Sequence, residues 1–245
     1  MTDAQYNQYL NLHTFAKHWR KYTRTAPKQD KETFRREMQY NKYVRLDYFS
    51  DVSGRAVLIY LLAKGSKYAE HSQELKKLLA RIKDPSDVIL VSENPFKVYS
   101  VKVINSYKHL RIKTYLHENF VLIIPNGPLC SKHEIMSSEE VVSLLNNELF
   151  CYLVNLPKIL DSDPQCIWIG AEVGDVVKIT SHSDISGEYI QYKVVVAKNG
   201  RVISFRDMDQ NTNQEDEEPE DEEIQELREN AMNDMDDDYD TEEEV

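Results

Sequence analysis

Seven histidines, three cysteines and 42 acidic residues give this chain many groups that could move protons, bind metal or attack a substrate. Their spacing assembles none of these functions. His13, His18, His71, His109, His117, His133 and His182 are scattered and form no HExxH pair. His13 and His18 are five apart, so on a helix they leave a shared face. Cys130 lies near His133 without further ligands, and Cys130, Cys151 and Cys166 contain no CxxC pair, so free thiols in a reducing compartment are expected and zinc is not. Glu74-x-Lys76 is half of a nuclease motif, but the spacing of Leu75, Leu78, Leu79 and Ile82 places it on a helix rather than a strand. A nuclease metal site needs several converging carboxylates. No glycine-rich phosphate loop occurs. The expectation is a protein without catalytic residues, cofactor or metal.

The elements that would hold any site divide the chain by charge. Residues 1–127 carry 22 Lys/Arg against 12 Asp/Glu, residues 128–206 carry 7 against 10, and residues 207–245 carry one against 20. The net charge of −12 thus hides a basic front, a near-neutral middle and an acidic end. The polar start and the short apolar runs, Ala56 to Ala63 and Phe120 to Pro125, predict a soluble chain with no membrane partner.

Leu12, Phe15, Ala16, Trp19 and Tyr22/Thr23 recur at helical spacing, with Lys17, Arg20, Lys21 and Arg24 between them, and Pro27 ends this helix or lies just past its end. Asp30 is the expected N-cap of a second helix carrying Phe34 and Met38. Val44, Leu46 and Tyr48 then alternate as a half-buried strand, which a turn at Asp51-Val52-Ser53-Gly54 joins to the apolar run Ala56–Leu62. A helix through Leu75 and Ile82, a strand at Val88–Val91 and a loop at Glu93-Asn94-Pro95 follow. The segment 97–118 is ambiguous, since Val98, Val101 and Val103 alternate while Val101, Ile104, Lys108, Ile112, Tyr115 and Leu116 suit a helix; mostly helix is the favoured reading, and Phe120–Ile124 is a fourth strand. Beyond Pro125-Asn126-Gly127-Pro128, Ser137-Ser138-Glu139-Glu140 opens a helix as a capping box. Strands are expected at Val176–Ile179 and Tyr189–Val196, with an Asn199-Gly200 turn returning a strand at Val202–Phe205. The fold class is α+β: an N-terminal α/β domain, 1–127, with a mixed sheet and flanking helices; a small α+β domain, 128–206; and a disordered acidic tail, 207–245.

Leu156 to Val195 is the densest segment in turn signals and alternating apolar residues, and it reads as a surface for docking on another protein. Pro157 and Pro164 pin loops, while Gly174 and Gly187 stand where positive φ is needed. Here the chain closely resembles a known family. Leu156-Pro157-Lys158-Ile159, Asp163-Pro164, Gly170-Ala171-Glu172-Val173-Gly174-Asp175-Val176-Val177-Lys178-Ile179, Ser186-Gly187-Glu188-Tyr189-Ile190 and Tyr192 resemble, in order and spacing, the fifth subunit shared by eukaryotic nuclear RNA polymerases. Archaeal RNA polymerases carry a counterpart of it. Lys132-His133-Glu134-Ile135 and Ser138-Glu139-Glu140-Val141 extend the resemblance, which covers residues 129–196.

The resemblance implies a non-catalytic polymerase subunit with an N-terminal jaw and a C-terminal assembly domain. Its partners would be the largest subunit, other polymerase subunits and downstream duplex DNA. Carried over to this chain, contact with the largest subunit falls to Pro157, Asp163, Pro164, Gly174, Val177, Lys178, Gly187, Tyr189 and Tyr192. DNA-proximal residues would be Asn94, Pro95 and Lys97, with Arg20 and Arg24. The family's Thr-Pro-Ser-Ala loop reads Asn94-Pro95-Phe96-Lys97 here, so only the proline is kept, and Ser131 stands where proline is usual. A divergent jaw beside a well-kept assembly domain points to a large DNA virus or a divergent eukaryote. The location would then be the nucleus, or the virion and viral factory in the host cytoplasm. A free DNA-binding or chromatin adaptor that uses the same assembly module is the alternative.

Overall fold

A computed structural model describes residues 3–128, 130–183 and 187–197. The expected Asn199-Gly200 hairpin, the Val202–Phe205 strand and the tail lie outside the described residues.

Helix α1 (Asp3–Thr14) passes into one π-turn (Phe15–Trp19), in which Arg20 N–H donates to the Phe15 carbonyl at 2.9 Å. Lys21 takes a positive φ of 54° and turns the chain into the short strand β1 (Thr23–Arg24). The expected helix through Tyr22/Thr23 therefore stops early, because the wide turn seats Phe15 and Ala16 in the core and redirects the backbone onto a sheet edge. Asp30 caps α2 (Lys31–Asn41), its carboxylate accepting from Thr33 N–H at 2.7 Å. β2 (Tyr43–Ser50) and β3 (Arg55–Leu62) form the expected hairpin, and Gly54 supplies the positive φ of its turn.

From β3 the chain crosses over twice. Helix α3 (Ser72–Leu79) leads to β4 (Ser86–Ser92), and α4 (Val98–Ser106) leads to β5 (Arg111–Leu116). β3, β4 and β5 are parallel, so the sheet β1-β2-β3-β4-β5 is mixed, as expected. Helix packing on both faces explains the continuous apolar run of β3. Val57, Ile59 and Leu61 join Tyr9, Phe34 and Met38 on one side, while Tyr60 and Leu62 join Leu75, Leu78 and Leu79 on the other.

Two expectations fail here. Residues 97–118 are not mostly helix: α4 covers nine of them, and the rest turn into β5. That strand lies at the sheet edge, and its apolar residues Ile112, Tyr115 and Leu116 fall at helical spacing, which hides its period of two. Phe120–Ile124 is no strand but part of two 3-10 turns, His117–Phe120 and Ile124–Asn126, with the chain between them. Phe120 alone of that run is buried, drawn into a ring cluster, whereas Val121 and Leu122 face solvent.

The C-terminal sheet runs β6-β8-β9-β7, from β6 (Lys132–Ile135), β7 (Lys158–Leu160), β8 (Val176–Ser183) and β9 (Gly187–Val196). β7 is parallel to β9 and the other pairs are antiparallel. Helix α5 (Ser138–Ser143) opens on the expected capping box: Ser137 N–H donates to Glu140 Oε2 at 2.8 Å, and Glu140 N–H donates to Ser137 Oγ at 3.3 Å. Helix α6 (Pro164–Ile169) has no counterpart among the expected elements. Its signals are present, with Asp163 as N-cap, Pro164 at the first helical position and Gly170 closing it at φ 88°.

One buried histidine couples this fold to pH. His13 contacts the Tyr48 hydroxyl, and burial, aided by Arg24 and Lys28, lowers its pKa from 6.5 to about 4. The folded protein therefore keeps the neutral imidazole, while the unfolded chain takes up a proton below about 6.5. Stability is predicted to fall as pH drops from 6.5 towards 4. Urea titrations over this range, comparing the parent chain with His13→Gln, should show a shallower decline for the variant; parallel slopes would assign the pH dependence elsewhere.

Candidate docking surface

The residues expected to dock on a partner fall into two groups around β9. Pro157, Asp163, Pro164 and Gly174 gather at its C-terminal end. The Pro157 carbonyl accepts from Val194 N–H at 2.9 Å, and Gly174 N–H donates to the Val195 carbonyl at 2.9 Å. Asp163 N–H donates to the Leu160 carbonyl at 3.0 Å, and its side chain accepts from Gln165 N–H at 2.8 Å. Gly174 has φ 100°, a conformation open to glycine and strained for any branched side chain. This end is rigid because each turn is tied by backbone hydrogen bonds to the strand.

The second group lies along the β8–β9 arm. Gly187, at φ 72°, pairs with Ser183 at the tip, Tyr189 pairs with Ser181, and Tyr192 pairs with Lys178. Residues 187–191 are exposed throughout, with Tyr189 and Ile190 at 44% and 45%. β7 covers only Val194–Val196, so the outer edge of β9 from residue 187 to 193 has no strand partner among the described residues. An exposed edge of this kind offers a ladder of backbone donors and acceptors to an added strand. Lys178 lies next to Glu134 on β6 and lowers the pKa of Glu140, behind the larger effect of the Ser137 hydrogen bonds. Val177 differs from the rest: it is fully buried with Cys166, Ala171 and Val195, so it supports the arm from inside and presents nothing outward.

The residues expected near DNA are not brought together. Asn94, Pro95 and Lys97 are exposed in the loop after β4, at the C-terminal end of the parallel strands. Arg24 aligns through Tyr48 with Val57, near the opposite end of the sheet. Five strand residues, roughly 17 Å, separate that level from the end of β3. Arg24 is exposed and donates to the Ala26 carbonyl. Arg20 is engaged within the protein. Its guanidinium lies 5.7 Å from the Phe15 ring centroid and 5.8 Å from that of Tyr22, and it reaches the Ile167 carbonyl at 3.5 Å.

Arg20 belongs to a seam joining the two sheets that sequence reasoning missed. Trp168 on α6 is fully buried and donates from Nε1 to the Asn119 carbonyl at 2.8 Å. It meets Phe15, Phe120 and Trp19 with ring centroids 5.6, 5.9 and 6.4 Å away. Lys113 on β5 forms an ion pair with Glu172 and holds that carboxyl below its usual pKa. The one available signal was that the chain's two tryptophans, far apart in sequence, each sit among apolar residues, Trp19 near Phe15 and Ala16 and Trp168 between Ile167 and Ile169. Nucleophilic chemistry finds no support at Cys166, whose thiol is pushed up to about 12 by burial and by Asp163, Asp161 and Asp175. Among the described residues, no three His, Cys, Asp or Glu side chains are placed to share a metal, and no helix is long and apolar enough to cross a membrane.

Residues 124–195 match the family model "RNA polymerase Rpb5, C-terminal domain". The DNA-directed RNA polymerase subunit Rpo5 of Methanosarcina mazei is 51% identical over 65 residues, which are 26% of this chain and 82% of that protein. Its counterpart in Methanococcus vannielii is 40% identical over 74 residues, 30% of this chain and 94% of the relative. That of Sulfurisphaera tokodaii is 42% identical over 69 residues, 28% and 81% of the respective chains. The family match spans both turns at the rigid end of β9 and the exposed arm, and the chain belongs to the Rpb5/Rpo5 family of RNA polymerase subunits, which are non-catalytic accessory components.

Proposed function

We propose that the C-terminal module docks on the largest polymerase subunit through the β8–β9 arm, and that the N-terminal domain braces the downstream DNA cleft. The observation that carries this reading is the edge of β9 that has no strand partner among the described residues, beside exposed Tyr189 and Ile190 and next to the turns held by Gly174 and Asp163-Pro164. Aromatic side chains on a pre-formed edge combine low ordering cost with large contact area. The loop Asn94–Lys97, with Val98 and Tyr99 exposed after it, is the part of the N-terminal domain that would approach duplex DNA. The chain would act in the nucleus or, for a viral enzyme, in the virion and viral factory.

Gly174→Val is predicted to reduce incorporation into the polymerase. A branched side chain at φ 100° costs about 1–3 kcal/mol and shifts the turn that holds Val195. Recovery of the variant with an affinity-tagged largest subunit should drop about tenfold, while circular dichroism shows a folded chain. Tyr189→Asp should act similarly without disturbing any turn. Recovery of both variants at parent stoichiometry would overturn this reading. A parent chain that never co-purifies with the polymerase would favour a free adaptor instead.

A further inference from the structure

We infer that the cleft between the two sheets binds an extended peptide in which a bulky apolar side chain is flanked by carboxylates. The cleft holds about 540 Å³, within the size range of ligand pockets. Its walls come from segments distant in sequence: the turn after α1, the β2–β3 turn, the N-terminal ends of β4 and β5, and residues of β6 and α6. Trp19, Tyr22, Val52, Ile135 and Ile169 make most of that surface apolar. Val52 is fully exposed at the rim and Ile135 is 42% exposed, so two aliphatic side chains stand in water at the mouth of an apolar recess. Such placement suits a partner side chain.

Charge decides what surrounds that side chain. The acids at the cleft are already compensated: Glu172 by Lys113, and Asp87 by Arg55 at 3.9 Å and the Ser53 hydroxyl at 3.1 Å. Arg20 is committed to Ile167 and Tyr22. Lys21 and Arg111 remain exposed and have no salt bridge among the described residues. The lining carries four cations, Arg20, Lys21, Arg111 and Lys113, against Asp87 and Glu172, so the net charge at the mouth is positive and carboxylates beside the apolar anchor complement it.

A nucleic acid would satisfy Lys21 and Arg111 but not the walls. Tyr22 meets the Arg20 guanidinium, and Trp19 stands edge-to-face against Trp168, so the cleft's rings are engaged within the protein rather than splayed for base stacking. Val52, Ile135 and Ile169 offer no stacking face. This inference stands apart from the polymerase docking surface on the β8–β9 arm and can fail or succeed independently of it.

The test is fluorescence anisotropy on the full chain with a short labelled peptide in which phenylalanine is flanked by aspartates. The same peptide with asparagines and a single-stranded oligothymidylate serve as comparisons. Saturable binding to the aspartate peptide is expected, weakened about tenfold by Val52→Asp or by Arg111→Glu and unchanged by Tyr40→Asp on α2, exposed outside the cleft. Three outcomes would each overturn the inference: equal binding of the asparagine peptide, indifference to both cleft variants, or tighter oligothymidylate binding that the same variants weaken.

Discussion

Replacing Trp168 with alanine is expected to lower the unfolding free energy of the full chain by about 3–5 kcal/mol, read from the urea midpoint at constant slope. Trp168 is fully buried and touches Phe15, Phe120 and Trp19, so truncation removes ring contacts on three sides. It also leaves the Asn119 carbonyl without its indole donor. The cavity would sit between two sheets, where neither can collapse without moving the other. Trp168→Phe keeps much of the ring packing but not the N–H donor, and should fall between parent and alanine. A cost under about 1 kcal/mol for the alanine variant would show that the seam contributes little to holding the two sheets together.

Gly170→Val is the second large effect, at about 2–4 kcal/mol. Two causes separate cleanly. Gly170 has φ 88°, which a β-branched residue adopts only under strain. A side chain there would also fall on the Arg20 guanidinium, with its Cβ 2.6 Å from Arg20 Cζ. Arg20 would leave the Ile167 carbonyl and the rings of Phe15 and Tyr22. In an Arg20→Ala background the clash with the guanidinium is gone while the backbone strain remains. Gly170→Val should therefore cost about 0.5–1 kcal/mol less there, a coupling that a double-mutant cycle by chemical denaturation measures. Equal costs in the two backgrounds would mean that Gly170 is kept for its φ alone.

The parts of the fold that can be read from sequence are those written in neighbouring residues. Asp30 and Thr33 are three apart, Ser137 and Glu140 likewise, and the β2 alternation is complete within eight residues. Gly174 and Gly187 can be assigned to turns because positive φ is a local demand. β5 is obscured because an edge strand need bury only part of itself, and its apolar Ile112, Tyr115 and Leu116 happen to fall at helical spacing. α6 is hidden because Asp163, Pro164 and Gly170 signal a turn and a short capped helix equally well. Among its helical neighbours Arg20 looks like a surface cation, yet its position depends on Ile167 and Gly170, about 150 residues away. Val177 falls in with the docking residues because it was carried over from the family resemblance, and a matching sequence block does not say which of its side chains face α6.

The ring seam also sets an order of events during synthesis. Trp19 precedes Trp168 by 149 residues, so at about 5–20 residues per second the second tryptophan emerges roughly 7–30 s after the first. Through that interval the first sheet can form, because β1 to β5 are complete by Leu116. Phe15, and later Phe120, meanwhile stand without the Trp168 ring that covers them in the finished chain. The C-terminal module thus completes the apolar surface that the N-terminal half presents first.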